Sequence, residues 1–311
     1  MRGCQYLISG VTLLATQTSH DIVQIDVPLV RRLVASQFPQ WANLPVSAVR
    51  LSGWDNRTYH LGGEMSVRLP SGKHYATAVA KEQTWLPRLA PHLPLPIPEP
   101  LAMGKPSTEY PWQWSVYRWL EGEVATKASI DDLDAFASCL ADFLLALQAI
   151  DTHGGPTRKL RGGTLDLWRG QAEEALIALS GQMDTKAASE IWRLAIEAPF
   201  DADAVWYHGD VAAGNLLIQD GELNSVIDFG GLGVGDPACD MTIAWTFLEP
   251  SSRKVFRERL AVSDAIWNRG RGWALWKAMI VVAEIIETNA IEADSSLYAI
   301  DQLIEDYSSH V

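Results

Sequence analysis

Trp206-Tyr-His-Gly-Asp-Val-Ala-Ala-Gly-Asn-Leu-Leu-Ile218, followed by Val226-Ile-Asp-Phe-Gly230, sets the architecture of this chain. Between them lies Gln219-Asp-Gly-Glu222, a turn signal flanked by apolar runs, which predicts a tight β-hairpin. The unit reads as loop, strand, turn, strand, loop. Asn215 closes the first loop and Asp228 opens the second, so a short hairpin brings both to one edge.

This pattern points to phosphoryl transfer. In kinase sites an Asp orients the acceptor hydroxyl and takes its proton. An Asn five positions later and the Asp of Asp-Phe-Gly bind magnesium. Asp210, Asn215 and Asp228 stand in that order and spacing. Magnesium takes one or two carboxylates and fills its other positions with phosphate and water, so one Asp and one Asn amide suit it. Asp and Asn also serve as ordinary turn formers, but turn chemistry requires neither this spacing nor the second Asp.

His208-Gly-Asp210, Asn215 and Ile227-Asp-Phe-Gly-Gly-Leu-Gly-Val-Gly-Asp-Pro-Ala-Cys-Asp240 together resemble the aminoglycoside phosphotransferase family, part of the wider group of kinase-like small-molecule phosphotransferases. Protein kinases fit less well: they carry Arg before the catalytic Asp and an Ala-Pro-Glu element later, and this chain has neither. The resemblance is strong over 208–240 and looser in the first third.

Composition sets the outer bounds. With 311 residues the chain is long enough for two lobes with substantial cores. Hydrophobic residues make up 48% and the mean hydropathy is −0.01, as in soluble globular proteins. A net charge of −13 argues against a nucleic-acid partner. It suits a cationic small substrate, or serves solubility alone. Cys4, Cys139 and Cys239 are odd in number, widely spaced and without a metal pattern. They fit a reducing cytoplasm, where a kinase also finds nucleotide. Residues 1–20 hold a mildly apolar run interrupted by Ser9, Gly10 and Thr12. They read as an N-terminal extension, not a signal peptide or a membrane span. No membrane association is expected, and the expected state is a monomer or weak dimer.

The chain then reads as an N-lobe over 21–120. Asp26 and the early proline predict a helix over 26–38. Short runs at 46–51, 57–61 and 65–69, divided by Gly and Asp-Asn, predict three antiparallel strands. A helix is expected over 74–89, a stiff proline-rich run over 91–100 and a last strand over 113–120. The resemblance implies that the turn holding Gly53 and Asn56 covers nucleotide phosphates through backbone N–H groups. Arg68 stands where the family usually has Lys, within Met65-Ser-Val-Arg-Leu-Pro70, and Glu82 looks like its helix partner. Arg for Lys is not a conservative change. The resemblance also places the nucleotide base against backbone groups near Arg118 and Leu120.

The C-lobe is expected over 121–311, mostly helical. Apolar spacing from Leu133 to Leu147 predicts one helix, and others are expected over 165–179, 185–196 and 236–247. The resemblance assigns His208 and Asp240 to support of the catalytic loop; Asp240 also reads as a helix-start Asp. Trp267, Trp273, Trp276 and Ile280 have the spacing of a core face. Glu284 and Glu287 share one helix side; the resemblance implies that acidic groups of late helices, here Glu249, Glu284 and Glu287, contact substrate amines, and each also reads simply as a solvated residue.

These observations imply a two-lobed α+β protein-kinase-like fold, an antiparallel-sheet N-lobe with a mainly helical C-lobe, and nucleotide and Mg2+ bound between them. Asp210 would be the base, Asn215 and Asp228 the metal ligands, and ATP or GTP the donor. An aminoglycoside is the first-choice acceptor. Macrolide, choline, homoserine and sugar amine remain open, as does a non-catalytic pseudokinase, against which the intact Asp210, Asn215 and Asp228 argue.

Overall fold

Asp26 accepts the Leu29 backbone N–H at 2.9 Å, and proline occupies the first turn. Helix α1 (Val27–Gln37) therefore starts where its capping pattern predicts. It belongs to a computed structural model that describes residues 23–49, 55–157, 162–200, 202–286 and 290–309. The expected extension over 1–20, Gly53 and Glu287 lie outside the described residues.

The chain divides into two units. The first takes residues up to Gln83 together with Pro100–Trp119. It holds an antiparallel sheet of β1 (Val46–Ala48), β2 (Asn56–Leu61), β3 (Met65–Pro70), β4 (Pro100–Gly104) and β5 (Trp114–Arg118), in the order β1-β2-β3-β5-β4. Period-two alternation gives this sheet two different faces. Val67, Leu69 and Val116 join Leu29, Leu33 and Val34 of α1 in one buried core. Ser66 and Arg68 of β3 face the other way, in register with Tyr117 and Ser115 of β5. Helix α2 (Lys73–Leu89) supplies their partners.

Strand β4 was not anticipated by the proline-rich reading. Pro100 is its first residue, at the edge of the sheet, where a missing N–H interrupts little. The last strand of this sheet is also shorter than expected, Trp114–Arg118 in place of 113–120.

The second unit takes Thr84–Glu99 and Leu120 onward. Its helices, among the described residues, are α3 (Leu133–Gln148), α4 (Arg169–Ala178), α5 (Thr185–Glu197), α6 (Ile243–Thr246), α7 (Pro250–Leu260), α8 (Asp264–Val282) and α9 (Ala290–Ser308). Its short strands are β6 (Glu123–Val124), β7 (Val205–Tyr207), β8 (Leu216–Gln219), β9 (Glu222–Val226) and β10 (Gly233–Gly235). The expected 165–179 helix is a 3-10 turn, Leu165–Trp168, followed by α4. The expected 236–247 helix is likewise a 3-10 segment, Pro237–Thr242, before α6. Trp267, Trp273, Trp276 and Ile280 are buried on α8, as their spacing predicts. Cys239 is buried in the 3-10 segment, whereas Cys139 is only half-buried.

Two ladders frame the motif region. β8 and β9 form the expected hairpin, with Asp220 and Gly221 both at positive φ, 52° and 82°, as a type I′ turn demands. β7 pairs antiparallel with β10, Tyr207 opposite Gly233. Loops 208–215 and 227–232 each run from one ladder to the other, so both are fixed at both ends.

The last helix is locked by charge. Asp306 of α9 accepts from Arg271 of α8 at 2.7 Å and from Trp245 Nε1 of α6 at 3.1 Å, and lies 3.5 Å from Arg253 of α7. Burial alone would raise its carboxyl pKa, but Arg271, the Trp245 N–H and Arg253 outweigh it and hold the group below the usual range. A lowered native pKa adds stability that is present above the unfolded value, about 3.9, and is lost as pH falls through the native value. Asp306→Ala strands two buried cations, so urea denaturation at pH 7 should show a loss of about 3–5 kcal/mol. The gap between the parent and the variant should narrow as pH falls below about 4; a constant gap down to pH 2 would contradict this lock.

Candidate active site

Asp240, fully buried in the 3-10 segment, accepts two backbone N–H groups with one carboxylate: His208 at 2.8 Å and Gly209 at 2.7 Å. This bridge holds the start of loop 208–215. His208 is equally buried and works between the two loops. Its Nδ1 accepts the Asp210 N–H at 3.2 Å, so its Nε2 carries the proton and donates to the Ile227 carbonyl at 3.0 Å. The imidazole is thereby a neutral spacer, and its edge packs on Phe229 with centroids 4.6 Å apart.

The loops touch at glycine. Gly209 has φ +85°, and a Cβ there would lie 2.5 Å from the Gly231 carbonyl oxygen. A Cβ on Gly231 would in turn meet the Gly209 carbonyl carbon at 2.9 Å. Both neighbours are backbone and cannot rotate away. The Gly of His-Gly-Asp is therefore required by this approach.

Asp210, Asn215 and Asp228 are half-buried, in contrast to their fully buried supports. The Asn215 amide nitrogen donates to the Asp210 backbone carbonyl at 2.9 Å and to Asp210 Oδ2 at 3.0 Å. The loop thus closes on itself, and the Asp210 carboxylate is oriented by a residue five positions on. The hairpin carries the other half: the Ile227 N–H donates to the Asn215 carbonyl at 2.9 Å, which sets Asp228 one residue past that contact. Asp228 adopts a left-handed conformation, φ 64°, rare for a residue with a side chain. Its carboxylate accepts from Gly230 N at 3.3 Å, and the buried Phe229 beside it helps hold this strain in place.

The donor set suits a hard cation. The Asn215 nitrogen is turned to Asp210, which leaves its carbonyl oxygen as the outward end. With the Asp228 carboxylate it offers one anionic and one neutral oxygen, a number that fits Mg2+ accompanied by phosphate. Among the described residues no group of three or more His, Cys, Asp or Glu side chains forms a metal cluster.

Asp236, beside this region, caps the 3-10 segment and is clamped by Arg269 of α8 at 2.6 and 3.1 Å. In the first unit, Arg68 meets Glu82 at 3.7 Å, with both side chains largely buried. Asn56 opens β2 opposite Pro70, and Arg118 ends β5 in an exposed position. Leu120 is half-buried at the start of the second unit. Glu249 accepts from Lys127 Nζ at 3.1 Å and takes part in a capping box at the start of α7, with its side chain still exposed. Glu284 is exposed, just past the end of α8. The sequence reading missed Asp236–Arg269 and the buried Tyr117 beside Glu82; a hydroxyl-bearing aromatic two residues from Ser115 on one strand face was the available signal.

The sequence pattern of the phosphotransferase enzyme family matches residues 47–275. The chain belongs to that family. Its curated relatives include aminoglycoside 3'-phosphotransferases of Escherichia coli and Salmonella typhimurium, each 26% identical over 146 residues, or 45% of this chain and 54% of theirs. This family member therefore spans about half the length of the curated relatives it matches. Among solved structures, the GDP complex of an aminoglycoside 2'-phosphotransferase superposes with a TM-score of 0.66 at 18% identity, covering 91% of this chain and 98% of that one. A macrolide 2'-phosphotransferase of Brachybacterium faecium gives 0.57 at 20% identity, covering 88% and 97%. These likenesses establish the two-lobed kinase-like α+β fold. Among the described residues no helix is long and apolar enough to cross a membrane.

Proposed function

We propose that this protein transfers the terminal phosphoryl group of ATP or GTP to a hydroxyl of a small molecule, with an aminoglycoside as the first-choice acceptor. The observation that carries the reading is the Asn215–Asp210 closure, at 2.9 and 3.0 Å, on a loop held by Asp240 and His208. It orients one carboxylate while keeping it partly exposed, as a base meeting an acceptor hydroxyl requires. Relatives named as aminoglycoside phosphotransferases support the acceptor class. A solved relative in complex with GDP and kanamycin supports both donor and acceptor classes.

Asp210 would accept the hydroxyl proton as the oxygen attacks phosphorus. Asn215, through its amide oxygen, and Asp228 would hold Mg2+, which offsets charge on the phosphate oxygens when bound. Arg68, paired with Glu82, would contact the phosphates. Asp228→Ala should raise the magnesium concentration needed for nucleotide binding by about tenfold or more, and Asn215→Ala less, because only the first removes a charged ligand. Calorimetric titration of nucleotide across a magnesium series tests this; unchanged dependence in both variants would contradict the ligand set.

A second reading takes a neutral acceptor such as a macrolide. Glu249 favours it, because Lys127 already neutralises that carboxylate. Salt separates the two. Recognition of a polycation must weaken between low and moderate ionic strength, where screening sets in within about 10 Å. Turnover of aminoglycosides beside a macrolide and choline at two salt concentrations decides: a salt-sensitive aminoglycoside rate supports the first reading, and turnover of a neutral acceptor alone supports the second.

A further inference from the structure

The segment that carries Asp240 is a 3-10 run of six residues, Pro237–Thr242, longer than such runs usually hold by themselves. Two residues of α8 hold it from one side. A Cβ on Gly270 would lie 2.5 Å from the Met241 Cβ and 3.3 Å from the Ala238 carbonyl oxygen, so the bare backbone lets the segment lie directly on the helix. Arg269 is the second. Its Nε and Nη2 donate to the two carboxylate oxygens of Asp236, at 2.6 and 3.1 Å. This two-point geometry fixes a carboxylate in orientation as well as in place.

Asp236 is the cap of the same segment. The oxygen that meets Arg269 Nη2 also accepts the Ala238 N–H at 3.1 Å, and the Asp236 N–H donates to the Gly162 carbonyl at 3.0 Å. Asp236 and Arg269 are only 3% and 6% exposed. Arg269 also donates to the Pro199 carbonyl, and its Cζ lies 5.3 Å from the centre of the Phe200 ring. A buried ion pair is weak evidence for stability, because desolvation offsets the attraction. Its two-point geometry points instead to a role in fixing position. Four residues past Asp236, Asp240 meets the His208 and Gly209 N–H groups at 2.8 and 2.7 Å, and Asp210 follows directly.

We propose that Arg269 is a positioning residue for Asp210: by fixing Asp236 it sets where Asp240 holds the start of loop 208–215, and so where the base stands. This rests on the phosphotransferase reading above. Without the fork the segment still caps itself but can shift on α8. A displacement of about 1 Å that reaches a reacting group costs on the order of 10²-fold in rate.

Two substitutions approach the pair from its two ends. Arg269→Lys keeps the charge and loses the fork. Asp236→Asn keeps a capping side chain and loses the ion pair. Steady-state kinetics and calorimetric nucleotide binding are measured where circular dichroism shows each variant folded. The expected result in both is kcat lowered about 10–100-fold. Nucleotide affinity and the KM for nucleotide should stay nearly unchanged, because Asn215 and Asp228 are held by the β8–β9 hairpin at the other end of the loop. In an Asp210→Asn background, Arg269→Lys should lower kcat no further, since its effect runs through the base. Parental kcat in both variants, an undiminished loss in the Asp210→Asn background, or a loss that falls wholly on the KM for nucleotide each overturns the inference. So does failure of both variants to fold, which would make the pair a general support of the fold. All four leave the phosphotransferase reading in place. An unsubstituted protein that transfers phosphate to no acceptor overturns both.

Discussion

Asp210→Asn should lower kcat by about 10²–10⁴-fold, the usual contribution of a positioned base, with nucleotide affinity nearly unchanged. Geometry makes the substitution clean. The Asn215 amide donates to Asp210 Oδ2 and to the backbone carbonyl. An asparagine at 210 can still present a carbonyl oxygen to it, and the backbone bond is untouched. The His208, Gly209 and Asp240 bridge involves only main chain on the loop side, so the loop keeps its shape. What disappears is the charge and the basic oxygen. The loss should therefore fall on kcat, not on KM for nucleotide. Steady-state kinetics with the parent and the variant give the split directly. Near-normal turnover in Asp210→Asn would remove Asp210 as the base.

Gly209→Ala should be more damaging to the fold than to any single contact. The new Cβ would meet the Gly231 carbonyl oxygen at 2.5 Å, with φ at +85°. A side chain in that backbone region costs on the order of 1–3 kcal/mol, and forcing two backbones apart costs a similar amount. We expect roughly 2–5 kcal/mol of lost stability, with turnover falling alongside because loops 208–215 and 227–232 are displaced together. Gly214→Ala is the control on the same loop: no atom lies within 4 Å of the added Cβ. Urea denaturation and turnover of the two variants should diverge sharply. A Gly209→Ala protein as stable and active as Gly214→Ala would mean that the glycine contact does not fix the loops.

The parts of this architecture written in local chemistry were legible in the sequence. The Asp220-Gly221 turn set the pairing beside it, Gln219 opposite Glu222, but a one-residue shift between Leu217 and Ile218 sets the open end, where Ile227 meets Asn215 and Asp228 follows. Capping by Asp26 and apolar spacing along α3 and α8 located those helices. Other features were not legible because their causes are distant in the chain. β4 has poor strand composition and exists because β5 pairs with it. β7 and β10 are three residues each and make sense only as a ladder closing two loops. The Tyr117–Glu82 bond joins residues 35 apart; the strand pattern shows that Tyr117 and Ser115 share a face, but not which carboxylate meets it. Glu249 is a similar case. The resemblance makes it a candidate substrate contact, and its ion pair with Lys127, 122 positions away, could not be read from the local sequence.

Phosphoryl transfer to a hydroxyl with Asp210 as the proposed base can be watched directly. Phosphorus-31 NMR of the protein with Mg2+, ATP or GTP and a kanamycin-type aminoglycoside follows every phosphorus at once. The γ-phosphate signal should be replaced by nucleoside diphosphate and a new phosphate-monoester resonance on the acceptor, and Asp210→Asn should leave the spectrum almost unchanged over the same interval. Absence of a monoester with every hydroxyl acceptor in the aminoglycoside, macrolide and choline panel, or its formation at the same rate by Asp210→Asn, would contradict it.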